Sequence, residues 1–167
     1  LQYIKTARVD TDPGVKLEKL DVEPDVYVSA HPLELSRVVQ NLITNAQRYG
    51  RSDDDVLHLS VSVHREKHTA LLVVADQGRG LDMKEADRVM RPFERGDAAR
   101  TGVSGTGLGL AIVDRIARRS SGTVDLSTTD PHGLTVSIRI PLFNEKKAET
   151  EAETAENAGK NAPSVAI

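Results

Sequence analysis

Read for alternation and period, the chain divides into a series of elements. Val15, Leu17 and Leu20 mix with charged residues in an extended stretch, and the β-rich run Asp25-Val26-Tyr27-Val28 follows Pro24. Together these predict a hairpin or two edge strands. After His31-Pro32, the apolar positions Leu35, Val38, Val39, Leu42, Ile43 and Ala46 recur at spacings of three and four. That period predicts an amphipathic helix from the proline to about Tyr49, with Gly50 as its stop.

Beyond the polar loop 51–55, Val56, Leu59, Val61 and Val63 suggest an alternating strand, and Ala70-Leu71-Leu72-Val73-Val74-Ala75 is a continuous apolar run. Such a run predicts a central strand buried on both sides. A short helix is expected over 83–90. From Arg91 to Gly105 there is little period and much Gly, Ser, Thr and Asp, which reads as a mobile loop. A second long helix is predicted over 108–120, with Leu110, Ile112, Val113, Ile116 and Ala117 on one side and Gly122 after its end. Val124 to Thr128 and Leu134 to Ile140 then alternate around Pro131-His132-Gly133 as a final hairpin.

Strands and helices in this order, with hairpins in place of strict β-α alternation, predict an α+β fold. Its form is a two-layer α/β sandwich with helices on one face of a mixed, mostly antiparallel sheet. A doubly wound sheet is the runner-up. The expected organisation is a linker over 1–13, one domain over 14–142 and a tail over 143–167. That tail holds too little apolar surface to offset the entropy of ordering and is expected to be disordered.

Composition narrows the picture. Two Phe, three Tyr and no Trp mean that the core must be aliphatic. A net charge of −3 gives no electrostatic reason to expect a nucleic-acid or anionic-membrane partner. The absence of cysteine rules out a disulfide framework and a thiolate metal site. No apolar run is long enough to span a bilayer and no secretory pattern opens the chain, so a soluble, cytoplasmic domain is expected.

Four segments carry candidate chemistry. Asn41 and Asn45, four apart, share one helical face, and an amide oxygen suits a Mg²⁺ that is already neutralised by phosphates. Asp76-Gln77-Gly78-Arg79-Gly80 closes the most apolar strand, placing a carboxylate where it can accept from an amine, with glycines leaving room for a flat ring. Arg91-Pro92-Phe93-Glu94-Arg95 is the third. The fourth is Gly102-Val103-Ser104-Gly105-Thr106-Gly107-Leu108-Gly109-Leu110, small residues leading into a helix whose N–H groups could bind phosphate. Taken singly, each has a structural explanation: a solvated helix face, a plain turn, a helix-ending turn and a flexible linker. The fourth is neither a Walker loop, since no Gly-Lys-Ser/Thr follows, nor a dinucleotide fingerprint, since it does not follow the first strand.

In order, spacing and wording, above all Asn-Leu-x-x-Asn-Ala, Pro-Phe-x-Arg and Gly-Thr-Gly-Leu-Gly-Leu, these segments resemble the asparagine, first glycine, phenylalanine and second glycine boxes of bacterial sensor histidine kinases. That group is a branch of the GHKL ATP-binding superfamily. The resemblance runs from about Val26 to Pro141 and implies the Bergerat sandwich, with ATP and Mg²⁺ as cofactors.

By position, it implies that Asp76 accepts from the adenine amine and that Gly78 and Gly80 shape the adenine pocket. Asn45 would coordinate Mg²⁺, Asn41 would lie beside the phosphates, and Arg48 and Tyr49 would flank the phosphates and the sugar or base. Phe93 would anchor the lid, Arg95 would approach the γ-phosphate, and Arg100 would lie within the lid. Gly105, Thr106, Gly107, Leu108 and Gly109 would cradle the phosphates, and Thr135 would lie near the adenine. Asn41 and Arg95 would be the catalytic pair.

In the hydrolytic and serine-kinase branches, the residue one turn before the Mg²⁺ asparagine is typically a Glu that serves as base. Here it is Asn41, which cannot take a proton, and Glu34 lies two turns away, ~10 Å along the axis. A histidine acceptor, nucleophilic when neutral, fits best. His31, His58, His64, His68 and His132 all lack the setting of the family's acceptor. The resemblance therefore implies a monomeric catalytic module acting on a separate dimerisation and phosphoacceptor domain, with onward transfer to a response regulator. The parent would be a homodimer in the bacterial cell membrane. An ATPase or anti-sigma serine kinase of the same fold, and a nucleotide-binding regulator that transfers nothing, are the rivals.

Overall fold

The computed structural model describes residues 14–94 and 107–143, in which five strands form one sheet. They are β1 (Val15–Val22), β2 (Leu57–Glu66), β3 (Thr69–Asp76), β4 (Thr123–Thr128) and β5 (Leu134–Pro141), in the spatial order β1-β2-β3-β5-β4. The helices are α1 (Pro32–Tyr49), α2 (Ala86–Val89) and α3 (Gly109–Arg119). β1 runs parallel to β2, and every other pairing is antiparallel. The mixed sheet and two-layer sandwich agree with the expectation from the pattern.

For the first strands the agreement is partial: β1 is an edge strand of the sheet, as one of the two alternatives had it. Val15–Val22 makes no hairpin with the run around Val28; it pairs in parallel with β2, and Val28 forms only an isolated bridge to Leu142. Parallel pairing needs a crossover, and α1 supplies it. The run 83–90 is likewise divided, into a 3₁₀ turn (Met83–Glu85) and the single turn of α2. The segments expected to be linker, lid and tail lie almost entirely outside the described residues.

α1 begins where Pro32 follows the cap His31, whose Nδ1 accepts from the Leu33 N–H at 3.3 Å, and it ends at Gly50. It buries Val38, Leu42, Ile43 and Ala46, and α3 buries Leu110, Ala111, Val113, Ile116 and Ala117. Against these stand alternate residues of the sheet: Leu57, Leu59 and Val61 of β2, Val74 of β3, and Leu134, Val136, Ile138 and Ile140 of β5. Among the described residues no aromatic side chain belongs to this core.

Burial of β3 on both faces is corrected by its neighbours. Leu71 and Val73 point away from the helices and are only half-buried, flanked across the ladders by His64 and Arg139 and by Ser62 and Ser137. The helix-free face is thus largely polar, and the apolar run reflects a central position in the sheet rather than a second layer. Among the described residues no helix is long and apolar enough to cross a membrane.

Leu42 is 2% exposed within this core, so Leu42→Ala should cost about 2–5 kcal/mol in urea unfolding, through lost burial and a cavity. Leu33, 67% exposed on the same helix, should cost no more than about 0.5 kcal/mol as Leu33→Ala. Equal losses at the two positions would contradict this packing.

Candidate functional site

At one end of the sheet β3 finishes in Asp76, the only buried polar or charged side chain among the described residues, 6% exposed. Its Oδ1 accepts the N–H of Gly78 at 3.0 Å and that of Leu134 at 3.2 Å. One donor comes from the turn after β3, the other from the start of β5. Burial pushes the carboxyl above its ordinary range, and the two N–H bonds oppose that shift without cancelling it. Oδ2 has no hydrogen-bond partner among the described residues. A buried anion with an uncommitted oxygen is costly until a donor arrives, which marks this as a place for a ligand N–H.

Backbone closes around that carboxylate. Gly50, which ends α1, sits so near that a Cβ there would lie 2.6 Å from Asp76 Cγ, and a Cβ on Gly78 would lie 2.5 Å from Gly50 Cα. Gly133, at φ +127°, meets Asp76 from the β5 side; its Cβ would be 2.0 Å from the Asp76 carbonyl oxygen. The Gly78 carbonyl accepts from His132 Nδ1 at 3.0 Å. Three turns from distant parts of the chain therefore interlock, and any side chain at these glycines would force them apart.

α1 joins this end of the site to another. Asn41 donates through Nδ2 to the Arg37 carbonyl at 2.7 Å, and a Cβ on Gly109 would lie 3.6 Å from its Oδ1. The Asn41 amide therefore faces the first turn of α3. That turn has no side-chain cap and no acidic residue, so its N–H groups and positive end are open to an anion. From Asn41 to Gly50 the helix rises roughly 14 Å. Asn45 lies one turn along, half-buried, followed by the exposed Arg48 and half-buried Tyr49, whose backbone abuts Gly78. The arrangement suits an elongated ligand with an N–H donor at one end and a charged group at the other.

Of the residues singled out in the sequence, Asn41, Asn45, Arg48, Tyr49, Asp76, Gly78, Gly107, Leu108 and Gly109 lie along this rail. Gly80, at φ +71°, lies against the Gly133 carbonyl. Thr135 is not brought in: Leu134 and Val136 face the helices, so Thr135 alternates onto the other face, where its hydroxyl is 2.8 Å from that of Thr129. The Phe93 ring is 77% exposed and, among the described residues, is no part of the core; its N–H donates to the Gly107 carbonyl at 3.2 Å. Arg95, Arg100, Gly105 and Thr106 lie outside the described residues. Gly50, His132, Gly133 and Leu134 read in the sequence only as helix-stop, turn and strand residues, because their place in the site rests on contacts with Asp76 and Gly78, more than 20 residues away.

The chain matches the model of the histidine kinase-, DNA gyrase B- and HSP90-like ATPase family over residues 30–144. It is 30% identical over 141 residues to the histidine protein kinase DivJ of Caulobacter vibrioides, covering 84% of this chain and 23% of that protein. To the sensor histidine kinase WalK of Bacillus subtilis it is 31% identical over 124 residues, covering 74% of this chain and 20% of the relative. Among solved structures, the mycobacterial sensor histidine kinase MprB superposes with a TM-score of 0.70 at 25% identity, covering 84% of this chain and 90% of that one. The histidine kinase domain of the E. coli osmosensor EnvZ gives 0.59 at 33% identity, covering 85% of each. The chain thus spans about a quarter or less of the curated relatives' length.

The buried carboxylate sets a dependence on pH. Because its folded pKa is raised, Asp76 favours folding most when protonated, below the ordinary value of 3.8, and that advantage is lost as pH rises through the folded value. Asp76→Asn keeps an acceptor for both N–H groups and removes the charge. The variant should gain stability over the parent as pH rises from about 4 to 7 in urea unfolding, the gap closing at the acid end. A gap that did not change with pH would show that Asp76 is not held as an unfavourable anion.

Proposed function

The chain belongs to the histidine kinase-, DNA gyrase B- and HSP90-like ATPase family, and from that premise we propose that it is the ATP-binding catalytic domain of a sensor histidine kinase. In this reading it binds Mg²⁺-ATP and passes the γ-phosphoryl group to a histidine on a separate dimerisation and phosphoacceptor domain, for onward transfer to a response regulator. Its parent is a longer homodimeric protein at the bacterial cell membrane. The observation that carries the reading is Asp76: a buried carboxylate with one oxygen tied to backbone and the other left for an exocyclic amine, opposite an uncapped helix terminus suited to phosphate.

Among the described residues no group of three or more His, Cys, Asp or Glu could hold a metal ion unaided. The half-buried Asn45 fits a Mg²⁺ that brings most of its oxygens with the nucleotide and water. When bound, that ion offsets charge on the phosphoryl oxygens. The chain's own part is positioning. Asp76 orients the base, the interlocked glycine turns exclude side chains from its plane, α3 directs N–H groups at phosphate, and Arg95 serves the γ-phosphate. Asn41 orients without abstracting a proton, which suits an imidazole nucleophile better than water or a serine hydroxyl.

Calorimetric titration tests the adenine assignment. ATP should bind at least roughly ten-fold more tightly than GTP, whose oxygen would face Asp76 Oδ2 acceptor to acceptor, and Asp76→Ala should lose most ATP binding. Equal affinity for the two nucleotides would remove the assignment. Asn45→Ala should weaken Mg²⁺-dependent binding while sparing metal-free binding.

The phosphotransfer half has a separate test. Incubated alone with labelled ATP the chain should gain no stable phosphohistidine, yet at high concentration it should label a supplied cognate acceptor hairpin. Stoichiometric self-labelling, stable to base and lost in acid, would place the acceptor among its own five histidines.

A further inference from the structure

Three consecutive residues at the start of β5 each address the turn that follows β3. The His132 imidazole reaches the Gly78 carbonyl, Gly133 lies flush against the Asp76 carbonyl, and the Leu134 N–H binds Asp76 Oδ1. Gly78 is thereby held at both of its polar groups: its N–H by Asp76 at 3.0 Å and its C=O by His132 at 3.0 Å. Behind it the packing against Gly50 leaves no room for a side chain. A carbonyl oxygen only accepts, so His132 must carry a proton on Nδ1.

We propose that His132 is a positioning residue for the adenine end of the site, holding the Gly78 peptide so that Asp76 Oδ2 stays aimed at the ligand's exocyclic amine. The inference rests on the adenine reading above. Without this bond the Gly78–Arg79 peptide is no longer fixed; because a glycine joins it to the Gln77–Gly78 peptide, that neighbouring peptide is held less firmly, which weakens its N–H bond to Asp76, one of the two contacts that set the direction of the carboxylate. The sequence marks His132 only as part of a turn, since the carbonyl that gives it a role is 54 residues away.

The test uses the full chain and a replacement series. His132→Ala should weaken ATP binding about three- to ten-fold, the range expected for one net hydrogen bond, and should lower the ATP-to-GTP ratio. His132→Asn places an amide N–H near the lost Nδ1 and should restore ATP binding to within about two-fold. His132→Gln places its amide beyond that point and should not restore it. Loss of folded protein alone would weaken both nucleotides equally and leave their ratio unchanged, so an unchanged ratio overturns the proposal, as does equal rescue by Asn and Gln.

Nitrogen NMR of the parent chain supplies a readout that needs no variant. Neutral His132 should show the Nδ1–H tautomer, and the Nε2–H form would also overturn the proposal. Asp76→Ala in the same titrations separates the two levels. If it leaves ATP binding intact, the adenine reading fails and takes this inference with it. If it abolishes binding while His132→Ala matches the parent, only the role of His132 fails.

Discussion

Asp76 is an anion where water hardly reaches, and the geometry around it is organised by that fact. A carboxylate so placed must be given hydrogen bonds or be neutralised, and here two backbone N–H groups, from Gly78 and Leu134, meet on a single oxygen. Because those donors come from the turn after β3 and the start of β5, satisfying the charge also registers β3 against β5 at that end of the sheet. The second oxygen remains for a ligand. The site is therefore preorganised at a cost in stability, which is common where binding is the purpose.

The scaffold that tolerates this cost is the aliphatic core between α1, α3 and the sheet. α1 serves both purposes at once: one stripe buries Val38, Leu42, Ile43 and Ala46, while another carries Asn41 and Asn45 and leads to Gly50 against Asp76. Placing ligand-facing residues on a helix whose other side is locked in the core fixes their separation more tightly than a loop would. The asparagine at 41, unable to act as a base, makes this rail an instrument of orientation.

Several expectations failed in ways that share a cause. Of the hairpin or two edge strands expected before α1, only β1 forms a strand, parallel to a partner 41 or 42 residues away, beyond a crossover no local pattern reveals. The apolar run of β3 suggested burial on both faces; it records instead a central strand whose outer face is covered only by neighbouring polar side chains. Thr135 is off by one residue, since alternation in β5 sends it to the opposite face from Leu134, whose main-chain N–H reaches Asp76. Phe93 meets Gly107 through its backbone, with its ring exposed.

The elements that the sequence determined by itself are those whose signals are local: the period of α1 and α3, the alternation of β2 and β5, the glycine punctuation, and the four boxes whose wording pointed to a nucleotide and a family. Periodicity and turn chemistry are written within a few residues of where they act, so they can be read without a fold. What only the tertiary structure decided is how distant backbone groups meet: the parallel β1–β2 pairing, the shared Asp76 oxygen, the Gly50–Gly78–Gly133 interlock and the bond from His132 to Gly78. Each of these has a main-chain group or a glycine on at least one side, and such groups look alike at every position in a sequence and acquire a function only when folding brings them to a particular partner.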